Sequence, residues 1–274
     1  MRKAFSLLVA LVGLQACAAT NDRPGRAENA PALVMQSKAP LGAGYLGGGA
    51  LPDSLILSPP PPSDGSAAQA RDTEGAAAAL SMQGGPRWDL AVADADLRPG
   101  RAAAAFSCTA GFAIDAAHTP ALSRLLTRAM ADLGMSTSEV KKRYQRPRPF
   151  MVNGKPSCTP TWESALRRDG SYPSGHSAIG YGYGLILAEL LPDRAARLVA
   201  RGRAFGDSRR ICNVHWLSDI EEGRVIASAT VMRLNADPAF AADLAAARKE
   251  VAALGREGIA PMPDCAKEAA ALGQ

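Results

Sequence analysis

The stretch that most restricts this chain is Tyr172-Pro173-Ser174-Gly175-His176-Ser177-Ala178, which opens the most apolar run beyond the N-terminus. Pro173 cannot sit inside a helix, and Ser174 is a good N-cap. Residues 180–191 then pass through Leu, Ile, Ala and Gly before Pro192 stops them. Ser174, Gly175 and His176 are therefore expected in the first turn of a buried helix. Free N–H groups and the positive end of the helix dipole there favour an anion, most often phosphate. Serine and glycine ahead of a helix are more often ordinary capping, so the flanking stretches decide the reading.

Upstream lies Lys141-Lys142-Arg143-Tyr144-Gln145-Arg146-Pro147-Arg148-Pro149-Phe150, and downstream Ser208-Arg209-Arg210-Ile211-Cys212-Asn213-Val214-His215-Trp216-Leu217-Ser218-Asp219. As patterns these are K-x6-R-P, P-S-G-H and S-R-x5-H-x3-D, in that order. The arrangement resembles the three-part signature of the phosphatidic acid phosphatase type 2 and vanadium haloperoxidase superfamily. With about eleven positions fixed across three blocks, little is left to coincidence. The details are similar to the bacterial class A non-specific acid phosphatases: Lys142-x-Tyr144-x-Arg146-x-Arg148-Pro149-Phe150, Gly170-Ser171-Tyr172-Pro173-Ser174-Gly175-His176 and Ile211-Cys212-x-x-His215-Trp216. The similarity runs from about residue 51 to about residue 250.

Apart from the blocks, the chain reads as helix, because β-branched runs are few. Residues 66–82, 87–97 and 101–112 are helical in composition. Thr119-Pro120 sets an N-cap before a proline at the first helical position. Leu122, Leu125, Leu126, Ala129, Met130 and Leu133 follow at helical spacing up to Gly134. Ser136-Thr137-Ser138-Glu139 reads as a capping box for the next helix. Pro147 and Pro149 end that helix near Gln145 and pull Arg148 into an extended segment, so that Lys141 and Arg148 can meet on one anion. Asp193 is expected to cap a helix with Ala196, Leu198, Val199 and Phe205 inward. Val225, Ile226, Ala229, Val231 and Met232 are expected inward on the next, and residues 240–254 form a surface helix. The whole predicts an all-α fold: one helical-bundle domain of about 200 residues with a single core.

Phosphoryl transfer needs cations on the equatorial oxygens, a nucleophile in line and an acid on the leaving oxygen. Arg148 and Arg209 are planar forks suited to phosphate, and Lys141 adds a point charge. Ser174 and the Gly175 N–H complete the cradle. His215, with Asp219 one helical turn on to accept its Nδ1–H, is the candidate nucleophile, and His176 the candidate acid. The resemblance implies a phosphohistidine at His215, acid catalysis by His176, and no metal or other cofactor. It also implies phosphate monoesters as substrates, inhibition by vanadate and phosphate, and dimers, which are common in the group. Outside this set, His118 reads as a loop or core histidine and Trp216 as packing; Lys142, Arg143 and Arg146 could stand behind the site, but read rather as solvated charge. Asp169 and Asp207 could orient arginines and are left out.

Arg2 and Lys3 precede an apolar stretch, residues 4–14, that resembles a secretory signal and is too short to span a bilayer. Residues 1–18 are read as the signal. Ala16-Cys17-Ala18 offers a small-x-small cleavage site, whereas Leu14-Gln15-Ala16-Cys17 resembles a lipobox with Cys17 lipidated; both stand open. The expected destination is the periplasm. Residues 19–50 read as a flexible linker, 51–265 as the acid phosphatase domain and 266–274 as a polar tail. Four prolines at 59–62 resemble a strap on the domain surface.

Without residues 1–16 the formal charge of +5 falls to +3. The basic clusters, residues 141–148 and 201–210, lack a stacking platform, so no nucleic acid is expected. Setting Cys17 aside leaves four of the five cysteines, and an even count in an exported chain argues for disulfides. Three connectivities are open. If the blocks converge, Cys158 meets Cys212, and Cys108–Cys265 ties the front of the domain to its tail. Three readings compete with a phosphatase: a vanadate-binding haloperoxidase, a membrane lipid phosphatase, which needs several spanning helices, and a catalytically idle exported lipoprotein.

Overall fold

Proline opens four of the α-helices: Pro86, Pro120, Pro149 and Pro238 take the first helical position, where a missing N–H costs nothing. The computed structural model describes residues 43–254 and 264–273, and every regular element among them is helical. In order these are α1 (Ser54–Leu57), α2 (Ala67–Leu80), α3 (Pro86–Asp94), α4 (Arg101–Ala104), α5 (Ser107–Ala110), α6 (Pro120–Met135), α7 (Ser138–Tyr144), α8 (Pro149–Asn153), α9 (Glu163–Leu166), α10 (Gly175–Leu190), α11 (Ala195–Ile211), α12 (Leu217–Asn235), α13 (Pro238–Ala253) and α14 (Cys265–Leu272). The fold is all-α. Among the described residues no helix is long and apolar enough to cross a membrane. The expected export signal, Cys17 and most of the linker lie outside the described residues.

Helix α10 is the central element, packed against α6, α11 and α12. Its partnership with α11 is set by glycines. A Cβ on Gly202 would stand 2.6 Å from the Gly180 carbonyl oxygen, and one on Gly184 2.8 Å from that of Leu198, so the two helices run antiparallel with backbones touching. Gly223 does the same for α12, where a Cβ would lie 2.5 Å from the Ser174 carbonyl oxygen. Around this contact Leu125, Leu126, Leu133, Ile186, Leu187, Leu198, Phe205 and Leu234 close the main core without solvent exposure. A second apolar cluster, including Phe150, Leu166, Ile211 and Val214, lies where the segments after α7 and α11 meet. Both expected disulfides form, Cys158–Cys212 and Cys108–Cys265.

Several local expectations are corrected. The box at residues 136–139 does not form: Thr137 is in helical geometry, its hydroxyl donates to the Gly134 carbonyl, and that of Ser136 donates to Leu133. Thr119 stands at the cap of α6, but the N–H groups of Ala121 and Leu122 are taken by Glu250 of α13, at 2.9 Å each. Asp193 lies in the 3₁₀ turn Pro192–Arg194, and Ala196 is exposed while Arg201 points inward. On α12 the buried stripe is Gly223, Ile226, Ala227, Thr230, Val231 and Leu234, which leaves Val225 and Met232 outside. Gly223, Ala227 and Thr230 share that face with Ile226, Val231 and Leu234. Helix α13 is not a surface helix all round, because Phe240, Leu244 and Ala247 bury one face against α6. The residues after Cys265 form α14 and not a polar tail, and Glu268 lies 3.3 Å from Arg201.

The last described part of the linker is also docked. Asp132 of α6 accepts the N–H groups of Tyr45 at 2.7 Å and Leu46 at 3.0 Å, while Tyr45 packs edge-on against Phe240 under the Arg128 guanidinium.

Because Gly202 touches backbone, the α10–α11 contact can accept no methyl group without moving a helix axis. Gly202→Ala is expected to destabilise the fold by about 1–3 kcal/mol, read as a lowered urea midpoint at unchanged slope.

Candidate active site

The three blocks meet where helices begin and end. Gln145 ends α7 in the left-handed region at φ 45°, and Arg148 follows in extended backbone at φ −80°, ψ 154°. Arg148 is 1% exposed. Its Nε donates to the carbonyls of Leu166 at 3.0 Å and Asp169 at 3.2 Å, and its Nη2 to the Asp169 carboxylate at 3.2 Å. Lys141 Nζ donates to the Gly170 carbonyl at 2.6 Å and lies 3.6 Å from Asp169 Oδ2. Asp169 and Gly170 thus draw the lysine and the arginine to one spot.

Ser174 caps α10, its hydroxyl accepting the Ser177 N–H at 3.2 Å. Gly175 and His176 occupy the first two helical positions, whose N–H groups have no intrahelical acceptor. The Ser174 N–H donates to the Asp219 carbonyl at 2.8 Å and so joins the second block to the third. Arg209 lies in the last turn of α11 without solvent exposure. Its Nη1 is 3.5 Å from Cys212 Sγ, and its Nε finds no hydrogen-bond partner among the described residues.

His215 bridges α11 and α12. Its Nδ1 is 3.2 Å from Asp219 Oδ2 and its Nε2 is 3.1 Å from Arg148 Nη1. A guanidinium can only donate. Nε2 therefore accepts and Nδ1 carries the proton, which leaves a neutral ring with its lone pair on Nε2. Asp219, at the third position of α12, also accepts the Trp216 N–H through Oδ2 at 2.8 Å. His176 stacks on Phe205 with ring centres 6.4 Å apart, and its Nε2 lies 3.1 Å from the Ala95 carbonyl oxygen. A carbonyl can only accept, so here Nε2 is the protonated nitrogen.

Known proteins supply the family. The family model described as the PAP2 superfamily matches residues 120–238. An acid phosphatase of Zymomonas mobilis subsp. mobilis is 40% identical over 199 residues, 73% of this chain and 75% of that protein. Non-specific acid phosphatases of Salmonella typhimurium and Providencia stuartii are 39% and 38% identical, covering 73% and 74% of this chain and 80% and 82% of theirs. The chain belongs to the non-specific acid phosphatase family of the PAP2 superfamily.

In this family member the cations crowd one another away from water. Burial pushes Lys141 down to about 8 and Arg209 down to about 9, Arg209 further because Arg148 is near. His176 falls well below the ordinary histidine value, through burial first and then the Arg209 charge; His215 falls through burial and then Arg148. Burial raises Asp219, against the pull of Arg146.

The predicted set, Lys141, Arg148, Ser174, Gly175, His176, Arg209, His215 and Asp219, is brought together. His118 is exposed beside Asp115, and Lys142 is exposed beside Glu139. Arg146 is corrected: it is no solvated charge but is 7% exposed between Asp72 and Asp219. Trp216 packs, and its Nε1–H also donates to the Pro147 carbonyl at 2.8 Å. Asp169 orients Arg148, whereas Asp207 pairs with Arg210. Sequence reasoning also missed Asp94, which binds Arg201 through both oxygens and accepts the Ser208 hydroxyl at 2.6 Å. The signal within reach was the place of Asp169 just before the second block; Asp72 and Asp94 had none.

An anion held by Lys141 needs the ammonium form, present below about 8 and lost as pH rises through that value. Binding of inorganic phosphate, measured by calorimetry, is expected to weaken above that pH. Lys141→Met should weaken it by roughly 10–100-fold, the range for a charged hydrogen bond, and flatten the dependence above pH 8.

Proposed function

We propose that this protein is an exported acid phosphatase that hydrolyses phosphate monoesters through a phosphohistidine on His215, without a metal. The observation that carries the reading is the His215 ring: its lone pair on Nε2 faces the buried cations while Asp219 holds the proton on Nδ1. Arg209, whose buried Nε has no hydrogen-bond partner among the described residues, supports an anion-binding site here.

In the first step Nε2 attacks phosphorus and the bond to the leaving oxygen breaks. His176 gives that alkoxide a proton and the alcohol departs. In the second, water attacks phosphorus as the P–N bond breaks, His176 takes the water proton, and phosphate leaves. Lys141, Arg148, Arg209 and the first N–H groups of α10 hold the equatorial oxygens, the task that magnesium performs at other phosphoryl-transfer sites. Because Nε2–H of His176 is engaged by Ala95, the proton it gives stands on Nδ1, and the acid is the imidazolium. Export is supported by the apolar stretch at residues 4–14 and by two disulfides, which persist in oxidising compartments.

Since His176 lies well below the ordinary histidine value, its acid form is populated at low pH and lost as pH rises. Turnover of p-nitrophenyl phosphate should peak in the acid range, survive EDTA, and stop with vanadate. His215→Ala should abolish the trapped phosphoenzyme, while His176→Ala should still trap label from a substrate with a good leaving group. A magnesium requirement, or halide oxidation with vanadate and no ester hydrolysis, would replace this reading.

A further inference from the structure

Arg146 sits two residues before Arg148, yet its guanidinium is spent elsewhere. Nη1 donates to Asp219 Oδ1 at 2.7 Å and to the Ser218 hydroxyl at 2.8 Å. Nη2 donates to Asp72 Oδ2 and to Gln69 Oε1, each at 2.8 Å. Asp72 in turn accepts the Ser218 N–H at 2.8 Å and its hydroxyl at 2.5 Å. One fork therefore joins two carboxylates that are both wholly buried, one on α2 and one on α12.

The two oxygens of Asp219 divide the work. Oδ2 receives the His215 and Trp216 N–H groups, and Oδ1 receives Arg146. A carboxylate out of water and without a cation takes up a proton. Its O–H can then donate to Nδ1 of His215, and its hold on Nδ1–H weakens. The competing tautomer carries its proton on Nε2, where the lone pair is needed.

We propose that Arg146, anchored by Asp72, is a positioning residue for the His215–Asp219 pair, and that it keeps Asp219 aimed so that His215 stays in the Nδ1–H form. The proposal rests on the reading of His215 as nucleophile. It makes α2, a helix upstream of all three blocks, part of the catalytic assembly, because Asp72 fixes the rear of the guanidinium.

The test uses imidazole nitrogen NMR on the full-length protein, in which only three histidines contribute, with His118 assigned by His118→Gln. Arg146→Met should lower kcat by about 10–100-fold, the range for a partner behind a functional ligand. Inhibition by inorganic phosphate should be unchanged, and the His215 signals should move from Nδ1–H towards Nε2–H. Asp72→Asn should do the same more weakly. An unmoved tautomer, or phosphate binding that falls in step with kcat, overturns the proposal. If Arg146→Met loses its near-ultraviolet dichroism, Arg146→Lys decides by the same two readouts, since an ammonium cannot fork to both carboxylates. If the unaltered enzyme hydrolyses no phosphomonoester, the proposed function fails, while the nitrogen spectra still decide this inference.

Discussion

Like charges brought together out of water set the terms for this molecule. Arg148 and Arg209 are buried and Lys141 is mostly so, close to two imidazoles, and all three lower the proton affinity of His215. Such a group holds together only if something else fixes each member. For Arg148 and Lys141 that is a set of backbone carbonyls and Asp169; for Arg209 it is its place in a helix turn beside a disulfide. The helices exist in this arrangement because their ends must supply these restraints at one point.

The restraints come from both covalent and non-covalent links between distant segments. Cys158–Cys212 spans a separation of 54 residues and joins the chain between the first two blocks to the third. Ser174 N–H to the Asp219 carbonyl ties the second to the third again, and Arg146 pulls in α2. The site therefore lies at a crossing of segments and not on one loop, which suits a geometry that has to resist its own electrostatic repulsion.

What was legible in the sequence is what depends on local rules. The proline pair around Arg148, the serine cap of α10 and the four-residue step from His215 to Asp219 are short-range facts, and the structure has them. What was illegible depends on a partner far along the chain. Arg146 looks like any basic residue in a charged run until Asp72 arrives from a distance of 74 residues, in an alanine-rich helix with no mark of its own. Burial on α12 was misjudged for a related reason: Val225 and Met232 are more apolar than Gly223 and Thr230, but close helix approach selects for size. Phe240, Leu244 and Ala247 did recur at helical spacing, and the alanine, lysine and glutamate around them hid it.

The antiparallel contact of α10 and α11 has a meaning beyond packing. One helix begins with the serine, glycine and histidine of the proposed anion cradle and the other ends with Arg209, so both arms of the pincer hinge on the same pair. The gap at the tips is then gauged by the thickness of two bare backbones near Gly184 and Gly202, well down the shaft. A side chain inserted there would act as a shim, widening the jaws without touching a single residue of the proposed site.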